Sequence, residues 1–116
     1  IEAALTESGE VVDAAAIAAP DDIKGVAVVC VCVAAPDVSL DADLVDRLKD
    51  RVGEIVSKPF RPREIHFVEA LPKTRSMKTM RRVVRAAFLG EDPGDLSSIS
   101  NPETIQPIAD LQKEKP

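Results

Sequence analysis

Residues 26–33, VAVVCVCV, are eight consecutive β-branched or small apolar residues. A run of that length with no polar face predicts a strand covered on both sides, hence central in its sheet, with helices above and below it. Cys30 and Cys32 lie two apart, so a strand turns both to the same face. The chain holds no other cysteine and one histidine, His66. Buried, reduced core thiols are therefore expected rather than a disulfide or a metal site.

The flanking segments supply the covering elements. In IEAALTES, Ile1, Ala4, Leu5 and Ser8 share a helical face, and Gly9 is a natural stop. Residues 11–19 are apolar enough for a strand that turns at Pro20–Asp22. Residues 41–56 set Leu44, Val45, Leu48, Val52, Ile55 and Val56 on one stripe behind an acidic start, which predicts a helix. Pro59 and Pro62 stop it, and EIHFVE, residues 64–69, reads as a short alternating strand. Met80, Val83, Val84, Ala87 and Phe88 follow the spacing of an amphipathic helix over 79–89, closed by Gly90. Residues 91–116 are rich in Pro, Ser, Asp and Asn and are expected to form an extended tail. The order helix, strand, strand, helix, strand, helix predicts an α+β fold: a small three-stranded sheet with helices on both faces, spanning residues 1–90.

At 116 residues the chain is one domain, able to bury about two thirds of its unfolded surface. No stretch is long and apolar enough for a membrane helix, and the start has no leader pattern, so a cytoplasmic location is expected. The chain opens at Ile1, inside a predicted helix, as a piece of a longer polypeptide would. Net charge is −5, unevenly spread: residues 58–85 hold nine Lys and Arg against two acids, while the remainder is strongly acidic. An acidic body with one basic segment fits a small anionic ligand better than nucleic acid.

Within that segment, LPKTRSMKTMRR (residues 71–82) places Lys78 at the expected start of the last helix, with Arg81, Arg82 and Arg85 in its first turns and Lys73 and Arg75 upstream. A helix start already presents about half a positive charge, so cations gathered there cost stability unless an anion arrives. Charge pattern alone leaves two readings open, an anion site and a solvated basic face. His66 is assigned a structural part in its strand, since no nucleophile or metal partner lies near it in sequence. The three phenylalanines, Phe60, Phe67 and Phe88, are expected to be core or loop anchors.

The same twelve residues resemble the C-terminal signature of the AMP-forming acyl-CoA synthetases, usually LPKTRSGKIMRR. The likeness continues through IEAAL, the turn at Pro20–Gly25, RPREIHFVEALPKTRS and GEDPGDLSS ahead of NPE, and is strongest to the acetyl- and propionyl-CoA synthetase branch. The resemblance implies a ligase fragment: a lid domain for a two-step reaction in which a carboxylate and ATP give acyl-AMP and pyrophosphate, and CoA then displaces AMP. It implies an N-terminal adenylating domain of the same polypeptide as partner, which binds ATP with Mg2+; the lid swings between two poses upon it. Lys78 aligns with the lysine delivered to the substrate carboxylate and α-phosphate. Arg75 of the same loop, and Arg51 and Arg47 in the second helix, are the matches for cofactor binding, the latter two for the CoA phosphate. No metal site and no bound cofactor are expected in the fragment itself, which should be inert alone. The contrasting reading is a non-catalytic, stand-alone anion- or protein-binding module of the same fold.

One departure stands out. Met77 occupies the position where the resembling signature has Gly, a residue that commonly marks a left-handed backbone or a close approach. Either the loop takes another path or the site is less active. The resemblance also implies regulation of Lys78 by a lysine acetyltransferase and deacetylase, since acetylation removes the charge; Met before the target is expected to make it a poorer substrate.

Overall fold

A computed structural model describes residues 1–112. The apolar run lies in β2 (Gly25–Ala34), between β1 (Val11–Asp21) and β3 (Glu64–Phe67) in a three-stranded sheet. β1 runs antiparallel to β2, with Asp21 opposite Gly25 at the hairpin end, and Asp21 Oδ1 accepts from the N–H groups of Ile23 and Lys24 to shape the tip. β3 runs parallel to β2, from Val29 opposite Glu64 to Cys32 opposite Phe67. The crossover between them is α2 (Ala42–Ile55), the helix a parallel connection requires.

Alternation along β2 divides the core in two. Cys30 and Cys32 face α1 (Glu2–Thr6) and α2, packing with Ala4, Leu5, Leu44, Leu48, Val52 and Ile65. Val29 and Val31 face α3 (Arg81–Leu89) and α4 (Ile105–Leu111), with Val84, Phe88, Ile108 and Leu71. Both thiols are free and fully buried, as the spacing predicted. His66 turns to the second face, its ring 5.4 Å from that of Phe88, with Nε2 2.8 Å from Glu64 Oε1. Phe88 is a core residue, whereas Phe60 is half exposed.

α2 begins where the sequence indicated: Asp41 is its N-cap and accepts from the Leu44 N–H at 2.9 Å. Its buried stripe stops at Val52, and Ile55 and Val56 are exposed. Gly90 closes α3 in the left-handed conformation, φ 72°, which glycine adopts without strain.

Two expectations are corrected. α3 starts at Arg81, so Lys78 is not at a helix start: Thr79 is in an antiparallel bridge with Lys73, and Met80 N–H donates to Pro72 O, which holds both residues out of the helix. Nor do residues 91–112 form an extended tail. Ile99, Ile108 and Leu111 are buried, the last two against α3 and the sheet. Ile105, Ile108 and Leu111 make one apolar stripe, and Pro107 sits in the first turn of α4, where an N–H has no intrahelical acceptor to lose. The remaining tail residues, 113–116, lie outside the described part. No described helix is long and apolar enough to cross a membrane.

Candidate functional site

The segment after β3 is fixed before it reaches Lys78. Leu71 and Pro72 are buried, and the chain then makes a tight loop whose arms meet at Lys73 and Thr79. Inside it, Thr74 N–H donates to Lys78 O, Met77 N–H to Thr74 O, and Lys78 N–H to Thr74 Oγ1, all at 2.9–3.1 Å. The turn brings Met77 to φ 69°, in the left-handed region, with the residue 69% exposed. The loop thus holds a left-handed backbone at Met77 and carries the strain of a side chain there.

Lys73, earlier one of several cations upstream of the helix, is a structural pin. Its ammonium is 2.6 Å from Asp13 Oδ2 and 2.8 Å from Thr79 Oγ1, and its side chain is 15% exposed. The pair joins both arms of the loop to β1.

The expected pile of cations awaiting an anion is mostly neutralised within the chain. Arg81 pairs with Glu2, Nε to Oε2 at 2.6 Å. Burial raises the Glu2 carboxyl, but hydrogen bonds from Arg81 and the Ala16 N–H, with the charge of Arg81, hold it below its ordinary value. Arg85 donates to Ala18 O and to Glu91, and Arg82 to Asp95 O. Through Glu2 and Arg85 these contacts also cap free backbone groups on the outer edge of β1. Arg61 pairs with Asp50, and Arg63 with Asp21 and Glu64. Among the described Lys and Arg of the basic segment, only Lys58 and Lys78 have side chains without an ion pair or hydrogen bond.

Lys78 is exposed where the hydrogen-bonded loop returns opposite Thr74. Arg75, in the same loop, is exposed and reaches Ser97 O at 3.3 Å. The other two assigned residues are elsewhere, on α2. Arg47 is held by Glu10 at 2.8 and 3.2 Å and by Asp43 at 2.9 Å. Arg51 Nε donates to Ala4 O at 2.7 Å, tying α2 to α1. The structure therefore joins Lys78 with Arg75 and leaves Arg47 and Arg51 outside their loop. Lys78 borders none of the grooves of about 500, 340 and 500 Å³ that indent the described surface. No group of three or more His, Cys, Asp and Glu among the described residues is arranged to hold a metal ion.

Asp13, Ser100 and Asn101, which contact the loop, had no sequence signal: they lie 60, 27 and 28 residues from Lys73.

Residues 1–78 match the family described as AMP-binding enzyme C-terminal domain. Acetyl-coenzyme A synthetase of Methanothrix soehngenii is 37% identical over 112 residues, 93% of this chain and 16% of that protein. 3-Hydroxypropionyl-coenzyme A synthetase of Metallosphaera sedula is 38% identical over 122 residues, 98% of this chain and 18% of that protein. The chain thus spans about one sixth of the curated relatives' length. Among solved structures, Brucella canis acyl-CoA synthetase superposes with a TM-score of 0.71 at 34% identity, over 74% of this chain and 16% of that one. Acetoacetyl-CoA synthetase from Streptomyces lividans shares the fold over 97% of this chain and 17% of that one, with a TM-score of 0.80 at 22% identity.

Proposed function

The chain belongs to the AMP-binding enzyme C-terminal domain family, the C-terminal domain of AMP-forming acyl-CoA synthetases, and on that premise we propose that it is the lid of an acetyl- or acyl-CoA synthetase in which Lys78 serves adenylation. The observation that carries this reading is the exposed, unpaired Lys78 ammonium on a hydrogen-bonded loop whose neighbouring cations are mostly engaged. A mobile point charge on a fixed platform suits oxygens whose charge changes during reaction.

In the proposed reaction a carboxylate oxygen attacks the α-phosphorus of ATP, forming acyl-AMP as the bond to pyrophosphate breaks. Lys78 neutralises charge on the carboxylate and α-phosphate oxygens as it redistributes. The N-terminal adenylating domain of the same polypeptide binds ATP with its Mg2+, the carboxylate and CoA, and the lid then rotates for thioester formation. Arg75 stands beside Lys78 on the loop; Arg51 and Arg47 contribute to CoA binding only by exchanging their present partners. The isolated chain is inert because its lysine meets no substrate. The whole enzyme works in the cytoplasm, and acetylation of Lys78 would switch it off. Met77 makes the loop a poorer acetyltransferase substrate, so equal modification of the Met77→Gly variant would reject that part.

The deciding experiment uses the intact polypeptide. Lys78→Ala should lower carboxylate-dependent exchange of pyrophosphate into ATP by about 10²–10³-fold and leave thioester formation from supplied acyl-adenylate near wild type. Equal loss in both half-reactions would contradict the assignment.

A further inference from the structure

We infer that Asn101 is a positioning residue for the Lys78 loop, an inference that rests on the adenylation reading of Lys78. Its amide grips the backbone on both sides of Pro72: Oδ1 accepts from the Lys73 N–H at 2.8 Å, and Nδ2 donates to Leu71 O at 2.9 Å. Only this orientation of the amide satisfies both contacts.

The neighbouring residues extend the grip. Thr74 forms an antiparallel bridge with Ile99, and Ser100 donates to Lys73 O through its N–H at 2.9 Å and its hydroxyl at 3.1 Å. On the opposite side Lys73 is bridged to Thr79, and Pro72 O accepts from Met80 N–H. The arm leading to Lys78 is therefore the middle of three short extended segments, closed on one side by the loop's own return and on the other by residues 99–101.

The brace is itself anchored. Asn101 O accepts from Thr104 Oγ1 at 2.7 Å and Thr104 N–H at 3.1 Å, Thr104 is buried, and α4 follows at once with Ile108 and Leu111 in the core. The family match ends at Lys78. The segment that fixes the lysine's platform thus comes from chain beyond it. Lys78 has no partner of its own to set its direction, so its reach is inherited from the backbone of 73–78. A displacement of about 1 Å at a reacting group is enough to cost on the order of 100-fold in rate.

The test compares Asn101→Ala, Asn101→Asp and Lys78→Ala in the intact polypeptide. Asn101→Ala should lower kcat for carboxylate-dependent pyrophosphate exchange roughly 10- to 100-fold, with the carboxylate KM and thioester formation from supplied acyl-adenylate unchanged. Asn101→Asp keeps the acceptor for Lys73 but loses the donor to Leu71, and should fall between. Amide hydrogen exchange at Met77 and Lys78 should quicken in Asn101→Ala while β2 stays protected. Wild-type exchange kinetics in Asn101→Ala alongside an inactive Lys78→Ala, or equal loss in both half-reactions, would overturn the inference. An active Lys78→Ala would instead overturn the reading beneath it.

Discussion

Replacing Met77 by alanine and by glycine separates backbone strain from side-chain loss. Met77 holds φ 69° with 69% of its surface in water, so truncation removes little packing. A left-handed conformation costs a residue with a Cβ about 1–2 kcal/mol, whereas the extra freedom of glycine in the unfolded chain costs about 0.5–1 kcal/mol. The difference leaves Met77→Gly about 0.5–1 kcal/mol more stable than Met77→Ala. In most helix or strand positions the order is reversed by a similar amount. With an unfolding entropy of about 2.1 cal/mol/K per residue, a chain of 116 residues moves its midpoint by about 4 °C per kcal/mol, so the two variants should differ by about 2–4 °C. Thermal unfolding followed by circular dichroism reads this directly. An alanine variant melting at or above the glycine variant would refute a left-handed backbone at Met77, and with it the account of why the resembling signature carries glycine there.

Other perturbations probe the core and its charges. Ile108→Ala should cost about 2–5 kcal/mol in urea unfolding because the residue is fully buried; a loss under about 0.5 kcal/mol, usual for surface positions, would argue that α4 is not part of the core. The folded-state pKa of Glu2 is depressed from 4.5, so its contribution is present above that pH and disappears as pH falls through the folded value. The stability gap between wild type and Glu2→Gln should therefore narrow below about pH 4.5; a gap constant from neutral to acid pH would rule this linkage out. Burial pushes the Cys30 thiol up to about 12, and burial with the nearby Cys30 raises Cys32 as well. Mass spectrometry should find both unmodified by iodoacetamide in the native protein at mildly alkaline pH and both modified in guanidinium chloride, whereas rapid native alkylation would show that β2 is not closed over.

The central strand was legible because eight apolar residues admit few alternatives, and α2 because its stripe and the Asp41 cap agree. The Pro, Ser, Asp and Asn content of residues 91–112 hides α4, whose Pro107 falls in the first turn, where proline is tolerated. The helix start expected at Lys78 was not there, since α3 begins at Arg81. Periodicity tells where apolar residues recur; it does not tell that Thr79 and Met80 would spend their backbone on Lys73 and Pro72.

By itself the sequence determined the sheet's middle strand, the helices that must cover it, the basic segment and the lysine within it, because each is written in neighbouring residues. Only the tertiary structure decided which cations are neutralised and which is left free. That outcome depends on Glu2 meeting Arg81, Asp13 meeting Lys73 and Asn101 meeting the Lys73 N–H, across separations of 79, 60 and 28 residues. No local pattern encodes such encounters; they are set by how the two faces of the sheet are packed.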